Sequence, residues 1–524
     1  MAVTFRYDSS TAVVGTTRGT VRGYELGGLS VFKGIPYAKA KRFHRPEPYR
    51  WEGVLDATSY GFTCPLMDMG VPNGEIMVPH RYWIMNEDCQ NLNIWTPGLD
   101  DKKRPVMVWL HGGGYFAGSS IEQWAYEGEN MARLGDVVVV SINHRLNVIG
   151  YLDLSDFGEE YVNSGNAGGD DIIEALRFVK ENIEKFGGDP DNVTVFGQSG
   201  GGGKVTTLLQ SPEADGLYHK GINMSGVLSG GRGIGISISD CKGSGKECVL
   251  ALMKELGVST AAELESVPYA QLAAAYRKVS PALAKEGKNI GGSPFRNEFY
   301  AGDPCDVGFR KETIDIPLLV GTVYGEFTSF VPAEYDRNTM SEEDQETYVA
   351  EILGKEGAAE VIPLFKKAFP MRQVVDLLRL DYTFRDNVIA YNERRAREGG
   401  KVYSYLFNHD MPMNGGSTPW HCSDIPYVFH NSQFAPATQE PGVTEVLEET
   451  IFRTVIAFAK NGDPNNSLIP NWPACTPQTE NTMMIDSTWS LHPDHDHELM
   501  PVFIKYMQPV FLKRMAETMG SVQH

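Results

Sequence analysis

Residues 193–205, VTVFGQSGGGGKV, admit two chemistries that exclude each other. A glycine-rich loop ending in lysine could cradle phosphates. Counted back from Lys204, however, G-x-x-x-x-G-K-[ST] needs a glycine at 198 and a hydroxyl at 205. Gln198 and Val205 stand there, so the phosphate reading fails at both ends. The same residues satisfy G-x-S-x-G as Gly197-Gln198-Ser199-Gly200-Gly201, directly after an apolar, β-branched run. A sharp turn between strand and helix would lift the Ser199 hydroxyl out of a sheet as a nucleophile. A serine alcohol needs a base to take its proton and an acid to hold that base's tautomer. It also needs fixed N–H donors for the oxyanion, and losing one typically costs about a hundred- to a thousand-fold in rate. The donors are legible in WLHGGGYFAG, residues 109–118, where H-G-G-G again follows an apolar run. Gly113 and Gly114 are expected to turn their amides toward a substrate, with the N–H of Gly200 as the third donor.

These parts need a scaffold that brings distant segments to one edge. Short continuous apolar runs recur: PVMVWL from 105, VVVVSI at 137–142, VTVF at 193, GINMSG at 221, IPLLVGT at 316 and VYSYLF at 402. Runs of this kind, buried on both faces, form mostly parallel sheets. Between them, Ile172, Leu176, Val179, Ile183 and Phe186 recur at three- and four-residue intervals, then Gly187 and Gly188 supply a stop. Strand, helix, strand in this rhythm implies right-handed crossovers and an α/β sheet flanked by helices. The N-terminal TTRGTVRGYELGGLSVFKGIPYA alternates short β-type runs with glycine turns and predicts a small antiparallel section. Residues 240–310 read as a helical insertion over one end of the sheet, within a single domain spanning 1–524.

Bulk properties narrow the function. The formal charge of −20 over 524 residues argues against nucleic acid or an anionic membrane as partner. No apolar run approaches bilayer length, and MAVTFRYDSS lacks a signal-peptide core, so the expected compartment is the cytoplasm. The seven cysteines contain no C-x-x-C pair and are expected to be buried thiols. HPDHDHE, 492–498, lacks the spacing of a recognised metal set and reads as a solvated loop. Asn192-Val-Thr is a glycosylation acceptor by formula only.

Taken in order, EDCQNLNIW (87–95), the H-G-G-G loop, INHRLNVIGYL (142–152), GNAGGDD (165–171), NIEKFGGDPDNVTVFGQSGG (182–201) and INMSG (222–226) resemble the type-B carboxylesterase family. These are α/β-hydrolases that include cholinesterases and bacterial para-nitrobenzyl esterases. The resemblance implies a central mixed sheet wrapped by helices, with the site at the bottom of a gorge. It places the acid at Glu326 in IPLLVGTVYGEFTSF and the base at His421 in WHCSDIPYVFHN. Chain order is then Ser199, Glu326, His421, as in α/β-hydrolases. Asp410 and Asp424 are rivals for the acid, and His409 and His430 for the base; His111 reads as structural. Ser225 matches a serine lying behind the triad. Tyr82, Trp83, Tyr115 and Phe116 fall on or near segments that line the gorge in relatives.

Several residues depart from the family pattern. Gln198 stands where an acid is usual, Gly200 replaces an alanine, and Tyr324-Gly325 and Phe327 replace the usual neighbours of the acid. Cys64 and Cys89 match a disulfide position of secreted members, and Cys241 and Cys248 could close a second loop; reduced thiols are the expectation here. The implied activity is serine carboxylic-ester hydrolysis of small to medium esters through an acyl-enzyme, with no cofactor or metal, in a monomer or homodimer. An amidase, carbamate hydrolase or acyltransferase would use the same parts. A catalytically dead adhesion module of this fold would be expected to lack the elbow serine.

Overall fold

The apolar runs become neighbouring strands. The structure, a computed structural model, describes residues 4–67, 79–227, 229, 232–234, 240–330 and 334–521. Among these, twelve strands form one sheet: β1 Phe5–Arg6, β2 Tyr24–Leu26, β3 Leu29–Pro36, β4 Asn91–Thr96, β5 Arg104–Leu110, β6 Val138–Ile142, β7 Gly188–Gln198, β8 Lys220–Met224, β9 Leu318–Val323, β10 Val402–Phe407, β11 Asn481–Ile485 and β12 Ser490–Pro493. Their spatial order is β1-β2-β3-β4-β6-β5-β7-β8-β9-β10-β11-β12. From β6 to β11 every pairing is parallel. All residues of β6, β8, β9 and β10 are buried, which is why these segments read as unbroken apolar runs and not as alternation.

The antiparallel N-terminal section is continuous with this sheet: β2 pairs with β3, and β3 pairs with β4. Val31, Phe32 and Ile35 are fully buried, so β3 is a core strand. Outside it, Val13–Gly15, Thr20–Arg22 and Val54–Asp56 make a separate three-stranded sheet with one antiparallel and one parallel pairing.

Helices cover both faces. The expected amphipathic helix is α1, Ala167–Asn182, and it tightens into a 3₁₀ turn over Ile183–Phe186. Gly187, at φ 77°, closes it in the left-handed conformation that glycine tolerates. The others that matter here are α2 Gly200–Leu209, α3 Lys246–Leu256, α4 Tyr269–Lys285, α5 Arg385–Arg397 and α6 Thr444–Asn461. In the 240–310 insertion, Cys248, Leu252, Leu272 and Tyr276 share one hydrophobic cluster with Leu146, Ile149 and Leu152, so the insertion is rooted in the main body.

HPDHDHE is solvated only in part: Pro493, Asp494 and Glu498 are exposed, but the segment is anchored in the interior. Asp496 is buried and paired with the Arg385 guanidinium on α5, and Glu480 pairs with the same group. Burial pushes His495 down to about 4, which keeps its ring neutral. A chelating geometry is absent: no group of three or more His, Cys, Asp or Glu among the described residues could hold a metal. No described helix is long and apolar enough to cross a membrane. All seven cysteines are free thiols, including Cys64, Cys89, Cys241 and Cys248.

One buried ion pair joins two of the motifs. Arg145 follows β6 and Asp171 lies in α1; they are 1% and 0% exposed. The Arg145 Nε and backbone N–H each donate to Asp171 Oδ2 at 2.9 Å, and Nη2 donates to Oδ1 at 2.7 Å. Further Arg145 donors reach the carbonyls of Lys41 and His44, so the guanidinium stitches the N-terminal segment to the sheet. Removing one charge strands the other in a dry interior, at a typical cost of about 3–5 kcal/mol. Asp171→Asn should therefore lower stability by about that amount in denaturant titration; an unchanged midpoint would show that the pair contributes nothing.

Candidate active site

Ser199 sits between β7 and α2 at φ 57° and ψ −125°, a region that L-residues occupy only under constraint. Such a conformation typically costs about 1–3 kcal/mol and persists where the surroundings over-determine it. Here the Ser199 N–H donates to Met224 O of β8 at 2.8 Å, and its carbonyl accepts from Gly203 N–H at 3.0 Å. The turn is also sterically closed. A methyl group on Gly201 would overlap the carbonyl of Leu110, so β5 abuts the first turn of α2 directly. That first turn points unsatisfied N–H groups and the positive end of the helix dipole toward the serine.

The glycine loop lies alongside. Gly113 and Gly114 have φ of 86° and 62°, and the amides of Phe116 and Ala117 close a turn back on Gly113 O. A methyl on Gly200 would overlap the backbone of Gly114, so the elbow and the loop touch main chain to main chain. Alanine, usual at this position in the family, has no room here.

His421 and Glu326 are brought together. Glu326 follows β9 at φ 39°; its Oε1 accepts from Val323 N–H at 2.9 Å and its Oε2 accepts from His421 Nδ1–H. The His421 backbone N–H donates to Glu326 O at 3.1 Å, so the two loops are pinned twice. With Nδ1 donating, the neutral ring carries its lone pair on Nε2, the tautomer a general base needs. The rings of Phe327 and Phe384 lie 4.3 and 5.2 Å from the imidazole and confine it. Gln198, immediately before Ser199, places its Nε2 3.3 Å from both ring nitrogens. The thiol of Cys422 donates to Gln198 Oε1, leaving the amide nitrogen facing the ring.

The rival residues are engaged elsewhere. Asp410 is paired with Arg337 and Arg372, His409 with Glu440 and Asp486, and His430 with Glu448 and Glu449. Asp424 instead accepts from the Tyr405 hydroxyl at its Oδ2, at 3.0 Å, while His421 Nδ1 is taken by Glu326. Burial, and then the charge of Glu326, pushes Asp424 up to about 7. Ser225 Oγ and Asp424 Oδ1 are buried without a protein partner. His111 stacks on His144 at 5.0 Å, and burial holds both rings neutral. Tyr115 is buried with its hydroxyl on Thr207, whereas Tyr82 is 90% exposed.

Sequence reasoning missed three acids. Asp381, fully buried, caps the Thr383, Phe384 and Arg385 N–H groups and is raised to about 7 by burial and by Glu326. Asp240 and Asp303 border a cavity of about 30 Å³ beside Gly200, with Tyr115 and Tyr300 on its walls. Burial pushes Asp240 up to about 6 and raises Asp303 as well. Single acids in irregular segments carry no spacing signal, so nothing in the chain marks them.

A parallel α/β sheet with a strained serine at a strand–helix turn defines a serine hydrolase of the α/β-hydrolase fold. The carboxylesterase family model matches residues 10–498, and this chain belongs to that family. Para-nitrobenzyl esterase of Bacillus subtilis (strain 168) is 33% identical over 505 residues, 93% of this chain and 97% of that protein. An esterase from anaerobic Clostridium hathewayi that can hydrolyze aliphatic aromatic polyesters superposes with a TM-score of 0.92 at 47% identity, covering 96% of this chain and all of that one. Phenmedipham hydrolase of Pseudarthrobacter oxydans is 30% identical over 479 residues, 87% of this chain and 92% of that protein.

Two substitutions probe the departures. A carboxylate in place of the Gln198 amide would favour the imidazolium, so Gln198→Glu should move the acid limb of the kcat/KM profile to higher pH by ~1 unit. An unmoved limb would mean the amide does not sense the ring. Gly200→Ala should lower kcat about ten-fold or more, because the backbone of Gly114 must retreat from the elbow; wild-type turnover would show that the contact yields freely.

Proposed function

We propose that Ser199 is the nucleophile of a carboxylesterase, with His421 its general base and Glu326 the acid that orients it. As Ser199 Oγ attacks the ester carbonyl, His421 Nε2 takes its proton and Glu326 stabilises the imidazolium. The oxyanion rests on the amides of Gly113, Gly114 and Gly200. His421 then protonates the departing alcohol, and water releases the acyl-enzyme by the same steps reversed. The single observation that carries this reading is the Glu326–His421 hydrogen bond set against Gln198, the residue that precedes the strained serine.

The same reading treats residues 1–524 as one domain that works without a cofactor on small to medium esters. Seven free thiols fit a reducing compartment such as the cytoplasm. Aliphatic aromatic polyesters are a second substrate class, favoured by the 47% identity to a structure with that activity. A panel of aryl esters of increasing acyl length, a matched anilide and carbamate, and a polyester film separates these choices by rate.

Ser199→Ala should lower turnover of a short-chain aryl ester by about three orders of magnitude or more, leaving a remnant from the oxyanion amides. Activity within about ten-fold of wild type would remove Ser199 from the mechanism. In parallel, mass spectrometry after an organophosphate should find the adduct on the peptide that contains Ser199.

A further inference from the structure

The lysine that a phosphate loop would have used is buried beside the reacting centre. Lys204 is 1% exposed, in the second turn of α2, five residues after Ser199. Its Nζ donates to the carbonyl of His111 at 2.9 Å. His111 is the first residue beyond β5 and the one that leads into Gly112-Gly113-Gly114. One side chain therefore ties the helix that carries Ser199 and Gly200 to the strand end that carries the other two glycines. The surroundings are otherwise poor in charge. His111 and His144 are held neutral by burial, with Lys204 itself adding to the depression, and the Tyr115 ring lies 5.9 Å from Nζ. Among the described residues no ion pair joins Lys204 to a carboxylate; Glu122 and Cys64 act on it at longer range.

We propose that Lys204 is a positioning residue for ester hydrolysis: anchored on the His111 carbonyl, it sets the distance between the glycine loop and the elbow, and so how well the oxyanion is held. This rests on the assignment of Gly113, Gly114 and Gly200 as the donors. A buried amine is an unusual choice for a tether that need only fill space, since an apolar side chain avoids the desolvation of an ammonium. The group's strength as a tether also depends on its charge. Burial pushes Lys204 down to about 7, with Glu122 opposing the shift. Below that pH the bond to His111 is charge-assisted; above it the amine donates a hydrogen bond roughly half as strong. Oxyanion binding should therefore weaken as pH rises through neutrality, independently of His421, which becomes a better base over the same range.

The test uses the full-length enzyme, an aryl ester and an arylboronate, whose boron takes the serine oxygen and whose hydroxyl occupies the oxyanion position. Lys204→Met should lower kcat about ten- to a hundred-fold, change KM by less than about two-fold, and raise the boronate Ki in step with kcat. The decline of kcat above neutral pH should vanish in that variant. A merely structural role would lower thermal stability without the matched change in Ki, and an unchanged Ki overturns the proposal. If Lys204→Met does not fold, Glu122→Gln reads the same point: it removes an opposing charge, so the alkaline decline should move to lower pH, and an unmoved decline overturns the proposal. Organophosphate labelling of the wild type separates the two readings, because absence of an adduct on Ser199 sinks the site assignment whatever Lys204 does.

Discussion

The structure turns on a backbone conformation that a serine does not adopt freely. Ser199 at φ 57° is held by Met224 on one side and by the start of α2 on the other. Its strain is sustainable because the C-terminal ends of β5, β7 and β8, which flank it, are buried and paired in parallel. Everything else at the site is measured from that point. The first amide of α2 follows it directly, and the glycine loop after β5 meets the elbow backbone to backbone.

Similar constraint recurs around it. Ser225, Glu326 and Cys422 also have positive φ, and each lies just beyond a strand of the sheet or in the loop that bears His421. Side chains are thus aimed by backbone that local propensity would not choose, which confines such geometry to places where tertiary contacts enforce it. Glu326 illustrates the result. One of its oxygens is spent on its own strand and the other on His421, so the imidazole has a single orientation. Asp381 and Asp424 sit nearby with raised affinities for protons, so they need not add further negative charge next to Glu326 at neutral pH.

Much of the fold was legible because parallel strands buried on both faces leave a simple trace. The runs at 105, 137, 193, 221, 316 and 402 all became neighbours in one sheet. The N-terminal strands were harder to place, since alternating short runs do not reveal whether their sheet is separate; the full burial of Val31 and Phe32 is what joins β3 to the core. HPDHDHE was read only in part, for the opposite reason. Its composition looks solvated, but Arg385, more than a hundred residues away in the chain, draws Asp496 into the interior.

The chain by itself carried the G-x-S-x-G and H-G-G-G patterns, because each is a local pattern of residue types at short spacing, whereas the acid and base positions came only from the resemblance to a family. Tertiary structure alone decided which carboxylate meets His421, that Gln198 lies against its ring, and that Lys204 reaches the carbonyl at the root of the glycine loop. Those are contacts between segments some 90 to 220 residues apart. Such contacts depend on strand register and on buried polar groups finding partners, and neither leaves a mark in local sequence.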